Sequence, residues 1–160
     1  MFMAKGKEEE EAKRWMAEAA KVASSSSCLR ALCGSVIVKD GRVIGAGFNS
    51  PPGNKPPRKC LKDDLPSGFK SDRTCCMHAE DRAIADALAR NAKEIRGSRI
   101  YFIRLDTAGR KEFAGNPYCT TCSKRALDAG IAEFALWRKE GICVYGTEEY
   151  NRLSFEYQGG

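Results

Sequence analysis

The sequence predicts a three-layer α/β/α sandwich, with one mixed five-stranded sheet and helices on both faces. Two observations carry that prediction. Helical apolar spacing alternates with short β-rich runs along the chain, which is the pattern of a layered α/β fold. A length of 160 residues, with 42% hydrophobic and 30% charged residues, suits one domain that can bury a core. A single domain over residues 1–160 is expected, with residues 1–7 and 157–160 frayed.

The first element is a helix over Glu8 to Ala23. Ala12, Trp15, Met16, Ala19, Ala20 and Ala23 recur at three- and four-residue steps and so share one face. Glu8 to Glu11 place negative charge at the positive end of the helix dipole. Ser24 to Ser27 end the helix, because serine hydroxyls compete for the backbone. Cys33 to Val38 and Val43 to Phe48 are two β-rich runs joined through Asp40-Gly41, a hairpin signal. Gly45 and Gly47 weaken a strand on their own, so their repetition predicts close approach of another backbone or of a ligand.

From Pro51 to Cys75 no period is sustained, and Pro, Gly, Lys and Asp dominate. A structureless loop of this length inside a small domain is usually functional. Between Lys55 and Arg73 it carries six basic residues against three acidic ones, which suits an anionic substrate. A helix then follows from His78 to Asn91, with Ala79, Ala83, Ile84, Ala87 and Leu88 as its apolar stripe and Asp81, Arg82, Asp86 and Arg90 mainly outside. Ile100 to Ile103 reads as a short buried strand, and Cys119 to Asp128 as a helix stopped by Gly130. Phe134 to Trp137 and Ile142 to Tyr145 form an antiparallel hairpin, and Glu148 to Phe155 a closing helix.

The chain has no long apolar run, and Met1 to Lys5 lead straight into acidic residues, so neither a membrane span nor a signal peptide is expected. Eight cysteines without a secretion signal point to a reducing, cytoplasmic setting. There, a C-x-x-C is more often metal-binding or redox-active than a disulfide. Cys28, Cys33 and Cys143 read as small buried apolar residues. Cys60 with Cys75 or Cys76 offers either packing or a second metal site, and packing is the expectation.

His78 is the only histidine, and it stands two residues before Glu80. Cys119 and Cys122 form a C-x-x-C further on. One imidazole and two thiolates are three ligands of the kind Zn²⁺ takes, with a fourth tetrahedral position left for water. Each half opens a predicted helix, where free N–H groups favour thiolates. A two-residue step on a regular helix would point His78 and Glu80 apart, so the motif must occupy the first turn. A closed structural site with Cys75 or Cys76 as fourth ligand is the competing reading, and it leaves Glu80 without a purpose.

His-x-Glu followed by Cys-x-x-Cys is the signature of the zinc-dependent deaminases. The chain resembles the cytidine/deoxycytidylate deaminase superfamily, and its deoxycytidylate-like branch most closely, over about residues 10 to 146. Arg30 and Gly34 to Ile44 resemble that branch's first hairpin. Gly47-Phe48-Asn49 is similar to its Gly-aromatic-Asn turn, and Lys59 to Leu61, Pro66 to Gly68 and Cys75 to its loop before the motif. Three features depart from the branch: Tyr118 between Pro117 and Cys119, Arg82 in place of asparagine, and the final hairpin, which is similar to that of free-nucleoside cytidine deaminases.

The resemblance implies Zn²⁺ held by His78, Cys119 and Cys122, and Glu80 as the proton carrier for water attacking C4 of cytosine. It implies Asn49 on the substrate sugar and the Ala79 backbone on the pyrimidine. The substrate is then a small pyrimidine nucleotide, dCMP converted to dUMP with ammonia release, in a homo-oligomer. Arg58, Lys59, Lys62, Lys70 and Arg73 are the loop cations available for a phosphate, with Arg58 and Lys59 foremost. A free nucleoside, single-stranded DNA or RNA, or non-catalytic nucleotide binding are the alternatives. Phe69 is the one aromatic in the basic loop, thin provision for stacking bases, so nucleic acid is not favoured.

Overall fold

The computed structural model describes residues 1–66 and 75–157. Its strands are β1 (Phe2–Met3), β2 (Leu32–Lys39), β3 (Arg42–Phe48), β4 (Arg99–Leu105), β5 (Lys111–Glu112), β6 (Glu133–Arg138) and β7 (Gly141–Gly146). Its helices are α1 (Lys7–Ala23), α2 (Ala79–Asn91), α3 (Thr120–Ala129) and α4 (Thr147–Glu156). The sheet runs β1-β7-β6-β4-β2-β3, with β5 paired to one end of β4. The β4–β6 pair is parallel and the others are antiparallel.

The expected five strands are all present, but the sheet has seven. The two additions are two-residue strands, too short for an alternating pattern to register in sequence. Phe2 and Met3 pair with Val144 and Cys143 on the outer edge of β7, and the Ala4 N–H donates to the Ile142 carbonyl. The segment expected to fray therefore covers an open edge, which a sheet otherwise leaves available for unwanted pairing. Residues 158–160 lie outside the described residues.

Alternation along the strands divides the core in two. Val36 and Val38, Tyr101 and Ile103, Ala135, Ile142 and Val144 face α1, which contributes Ala12, Trp15, Met16, Ala19 and Ala23. Ile37, Ile100, Phe102, Phe134, Leu136, Cys143 and Tyr145 face α2, α3 and α4. One helix thus covers one face and three cover the other. Phe134 stacks on Tyr150 of α4 at 4.1 Å, with Tyr145 edge-on to the same ring, arrangements that add to the area buried. The β2–β3 turn has Asp40 and Gly41 both at positive φ (48° and 74°), as a two-residue type I′ hairpin requires.

The glycines of β3 meet backbone rather than a ligand. A Cβ at Gly45 would lie 2.5 Å from the Ala83 carbonyl oxygen, and one at Gly47 would lie 2.4 Å from both the Ala79 oxygen and the Ala83 nitrogen. Helix α2 therefore rides on β3 at a distance only glycine permits. Its polar side chains complete the contact: Ala46 N–H donates to Asp86 (2.8 Å), Asn91 Nδ2 donates to the Ile44 carbonyl (2.7 Å), and Arg82 Nη2 donates to the Pro51 carbonyl (3.0 Å). These groups lie along the free edge of the sheet, so α2 protects it. Asp81, Arg82 and Asp86 are accordingly not simple outward residues, and Asp81 is buried.

We expect Gly47→Ala to lower stability by about 1–3 kcal/mol through overpacking. Gly115→Ala, where no atom lies within 4 Å of the added carbon, should stay within about 0.5 kcal/mol. Chemical denaturation midpoints of the two variants check this; equal midpoints would mean that α2 can lift off β3 without cost.

Candidate metal centre and cleft

Both halves of the motif sit where a chain turns into a helix. His78 is the N-cap of α2, with extended backbone (φ −73°, ψ 150°). Its approach is fixed one residue earlier, where Met77 forms an antiparallel bridge with Ser50 just beyond β3 and donates its N–H to the Ser50 carbonyl (2.9 Å). Cys119 is the N-cap of α3, its Sγ accepting from the Cys122 N–H at 3.3 Å. The extended cap residue turns the His78 ring away from the helix path, so that it and Glu80 both reach the cleft.

The three donor atoms converge. His78 Nδ1 is 3.2 Å from Cys119 Sγ and 3.2 Å from Cys122 Sγ, and the two sulphurs are 2.9 Å apart. Ligands on one tetrahedral zinc sit about 3.6–3.8 Å from one another, given usual Zn–N and Zn–S bond lengths. Opening the triangle by less than about 1 Å therefore admits the ion, and Nδ1 is the ring nitrogen that faces it. Cys75 and Cys76 are not part of this group, so a closed site using either of them as fourth ligand finds no support among the described residues.

The electrostatics suit a cation. Without a metal, hydrogen bonds from Cys122 and His78 hold the Cys119 thiol down to about 4. The bond to Cys119 raises His78 to about 9, and Cys119 pushes the Cys122 thiol up. Protons thus occupy the place where one divalent ion would compensate the same negative charge. Glu80, 6% exposed, stands beside the group, and burial raises its carboxyl to about 7. It makes no ion pair among the described residues. Asp81 is also buried and faces Arg125 of α3 at 3.6 Å, a link between the two helices that carry the motif.

A cleft of about 410 Å³ opens over the site, lined by residues that include Arg30, Asn49, Lys62, Ala79, Arg104 and Tyr118. Asn49 lies on its wall, but most of its side chain is engaged within the protein. Its Oδ1 accepts from the Cys33 N–H and the Ser26 hydroxyl (both 2.7 Å), and its Nδ2 donates to the Ala31 carbonyl (3.0 Å). One N–H is left to face the cleft. Arg58 and Lys59 are exposed and do not line the cleft, and Lys59 pairs instead with Asp64 at 2.6 Å. Lys70, Arg73 and Phe69 lie outside the described residues. Arg30 and Arg104, paired with Asp63 and Glu112, line the cleft instead. Nothing in the pattern around Arg104 marks it, because the end of β4 meets the cleft only through the pairing of β4 with β2.

The family model described as the cytidine and deoxycytidylate deaminase zinc-binding region matches residues 9–137. A deoxycytidylate deaminase of Saccharomyces cerevisiae is 30% identical over 124 residues, which are 74% of this chain and 35% of that protein. One of Mycobacterium phage D29 is 30% identical over 131 residues, 76% of this chain and 89% of that protein. The chain thus spans about a third of the yeast relatives it matches. Among solved structures, the dCMP deaminase of cyanophage S-TIM5 in complex with dCMP and dUMP gives a TM-score of 0.55 at 24% identity, over 78% of this chain and 79% of that one. The cytidine deaminase of Burkholderia pseudomallei gives 0.56 at 16% identity, over 86% and 94%. These two likenesses show the fold.

We expect Asn49→Ala to cost about 1–3 kcal/mol of stability, because it strands the Cys33 N–H and the Ala31 carbonyl. Thermal melting of the ligand-free protein reads this directly. An unchanged melt would assign Asn49 to substrate alone.

Proposed function

The chain belongs to the cytidine and deoxycytidylate deaminase family by its zinc-binding region, and from that premise we propose that it hydrolytically deaminates a cytosine nucleotide, converting dCMP to dUMP with release of ammonia. The observation that carries this reading is the placement of Glu80, a buried carboxyl without an ion-pair partner among the described residues, beside His78, Cys119 and Cys122 at the cleft. A structural metal site has no use for such a group. The relatives support the nucleotide: the matched yeast and phage proteins are deoxycytidylate deaminases, and the S-TIM5 enzyme was solved with dCMP and dUMP.

In this reading His78 Nδ1 and the Cys119 and Cys122 sulphurs would hold zinc. When bound, zinc supplies a Lewis acid that lowers the pKa of a water molecule towards neutrality. Glu80 would take one proton from the water and pass it to ring N3, then take the second from the hydroxyl newly bonded to C4 and hand it to the amine, which leaves as ammonia, so one carboxyl serves as base and acid in turn. The Ala79 main chain holds the pyrimidine, and the remaining Asn49 N–H faces the sugar. Lys62, with Arg30 and Arg104, offers positive charge to a phosphate from the cleft wall. Lys62 takes the place first given to Arg58 and Lys59. Eight free thiols support a reducing, cytoplasmic setting.

Ammonia release from cytidine, CMP, dCMP, dCTP and short single-stranded DNA and RNA tests the function, with dCMP expected to be the preferred substrate. Glu80→Gln should abolish turnover and leave zinc content unchanged. Absence of turnover on every substrate by the zinc-loaded protein would overturn the enzyme reading in favour of a nucleotide-binding protein. The antiparallel β6–β7 hairpin favours one second reading, a free nucleoside as substrate. Lys62→Ala separates the two. If the cleft reads phosphate, kcat/KM should fall about tenfold or more for dCMP and hardly change for deoxycytidine. Equal effects on both substrates would move the nucleoside ahead.

A further inference from the structure

A second cavity, of about 100 Å³, adjoins the cleft at Glu80. It shares Cys33, Glu80, Phe102, Arg104 and Tyr118 with the cleft, and beyond them it is lined by residues 113–116, Leu136 and Tyr150.

The cavity has its origin in a fork of the sheet. Strands β4 and β6 pair from Arg99 and Glu133 to Phe102 and Leu136, and then part. Arg104 and Leu105 pair with β5 instead, while the Ala114 N–H donates to the Trp137 carbonyl at 2.8 Å. The chain after β5 thus spans the fork, held by Phe113 against the Trp137 ring at 5.0 Å. Small residues make the span: Ala114, then Gly115, where an added Cβ would meet no atom within 4 Å. They bridge the fork without filling it, and the space beside Phe102 and Leu136 stays open.

Position and lining tie this space to the reaction. Glu80 borders both the cleft and the cavity, and in the proposed deamination Glu80 hands the last proton to the exocyclic amine. The departing nitrogen therefore stands at the mouth of the cavity. One water-sized group needs only about 10–15 Å³, and ammonia is no larger than water, so the cavity exceeds what ammonia requires. Among the residues that line the cavity alone, Phe113, Ala114 and Leu136 are apolar. Apolar space of this kind takes an alkyl group more readily than water.

We propose that the protein also deaminates cytosine nucleotides whose exocyclic nitrogen carries a small alkyl group, and that this cavity receives that group. The inference rests on the deaminase reading of the site. For N4-methyl-dCMP the atoms balance as they do for dCMP. The water oxygen bonds to C4 and the C4–N4 bond breaks. One water proton goes to N3 and the other to the nitrogen, which leaves as methylamine. No oxidant or further reactant is required. In a site fitted closely to ammonia the added methyl group would meet protein; here it meets open space beside Glu80.

The zinc-loaded parent chain tests this when assayed for methylamine and dUMP from N4-methyl-dCMP, and for ammonia and dUMP from dCMP. The methylated substrate should show kcat/KM within about tenfold of dCMP, because a methylene that a pocket does not fit costs about 10–200-fold. A larger deficit, with dCMP still turned over, overturns this inference alone. No turnover of either substrate overturns it together with the reading on which it rests. Ala114→Leu then locates the group. Ala114 lines the cavity and not the cleft, so the larger side chain should lower kcat/KM at least about tenfold for N4-methyl-dCMP and stay within about twofold for dCMP. Equal effects on the two substrates, or none on either, place the methyl group elsewhere and overturn the proposal. The comparison of substrates on the parent chain needs no variant, so it decides even where Ala114→Leu does not fold.

Discussion

The site depends on the contact of α2 with β3. A helix normally rests on a sheet through a layer of side chains, but here the Ala79 and Ala83 main chain lies directly on Gly45 and Gly47. That contact fixes the height of the helix, and hydrogen bonds between Asp86, Asn91 and Arg82 and the main chain of β3 and the residues after it fix its register. His78 and Glu80 occupy the end of the helix so held. Their positions follow from the packing of the whole α2–β3 unit rather than from local turn chemistry.

The second half of the centre is held by a different device. Helix α3 packs on the same face of the sheet, where Ser123 hydrogen-bonds to Asn151 and Ser154 of α4 in a buried polar group. Its N-cap is itself a candidate ligand, so the sulphur that accepts the Cys122 N–H also faces His78. Two helix N-termini meet at one point, and both favour the negative charge that a cation needs. Asp81 and Arg125 link the helices on their facing sides. A carboxyl buried among these groups is costly for stability, which fits a site where function, rather than stability, decides the residue.

Around this rigid floor the cleft wall is built from irregular chain. Asn49 shows how the two are joined: one amide satisfies the connector at Ser26 and Ala31 and the start of β2 at Cys33 while standing at the end of β3. Tyr118, half-exposed and packed near Tyr157, closes the other side beside Cys119.

Much of this was legible in the sequence because it depends on local spacing. The four helices, the five longer strands, the Asp40-Gly41 hairpin and the Gly130 cap each have a period or a turn residue that only one backbone conformation satisfies. The pairing of His78 with Cys119 and Cys122 was legible for a different reason: few other arrangements give a single histidine and a C-x-x-C a common use. The tertiary structure alone decided what depends on distant chain. Two-residue strands such as β1 and β5 carry no pattern of their own and exist because a neighbouring edge has free hydrogen-bonding groups. Gly45 and Gly47 announced a close approach, but only packing could say that a helix backbone, and not a ligand, fills the space. Of the cleft's cations, Lys62 stood among the loop candidates, and Arg104 was hidden most completely. Net charge is additive along a sequence, so the loop that held half of it drew attention to Arg58 and Lys59. Access to a cleft is a property of the folded surface, and it fell to Arg30, Lys62 and Arg104.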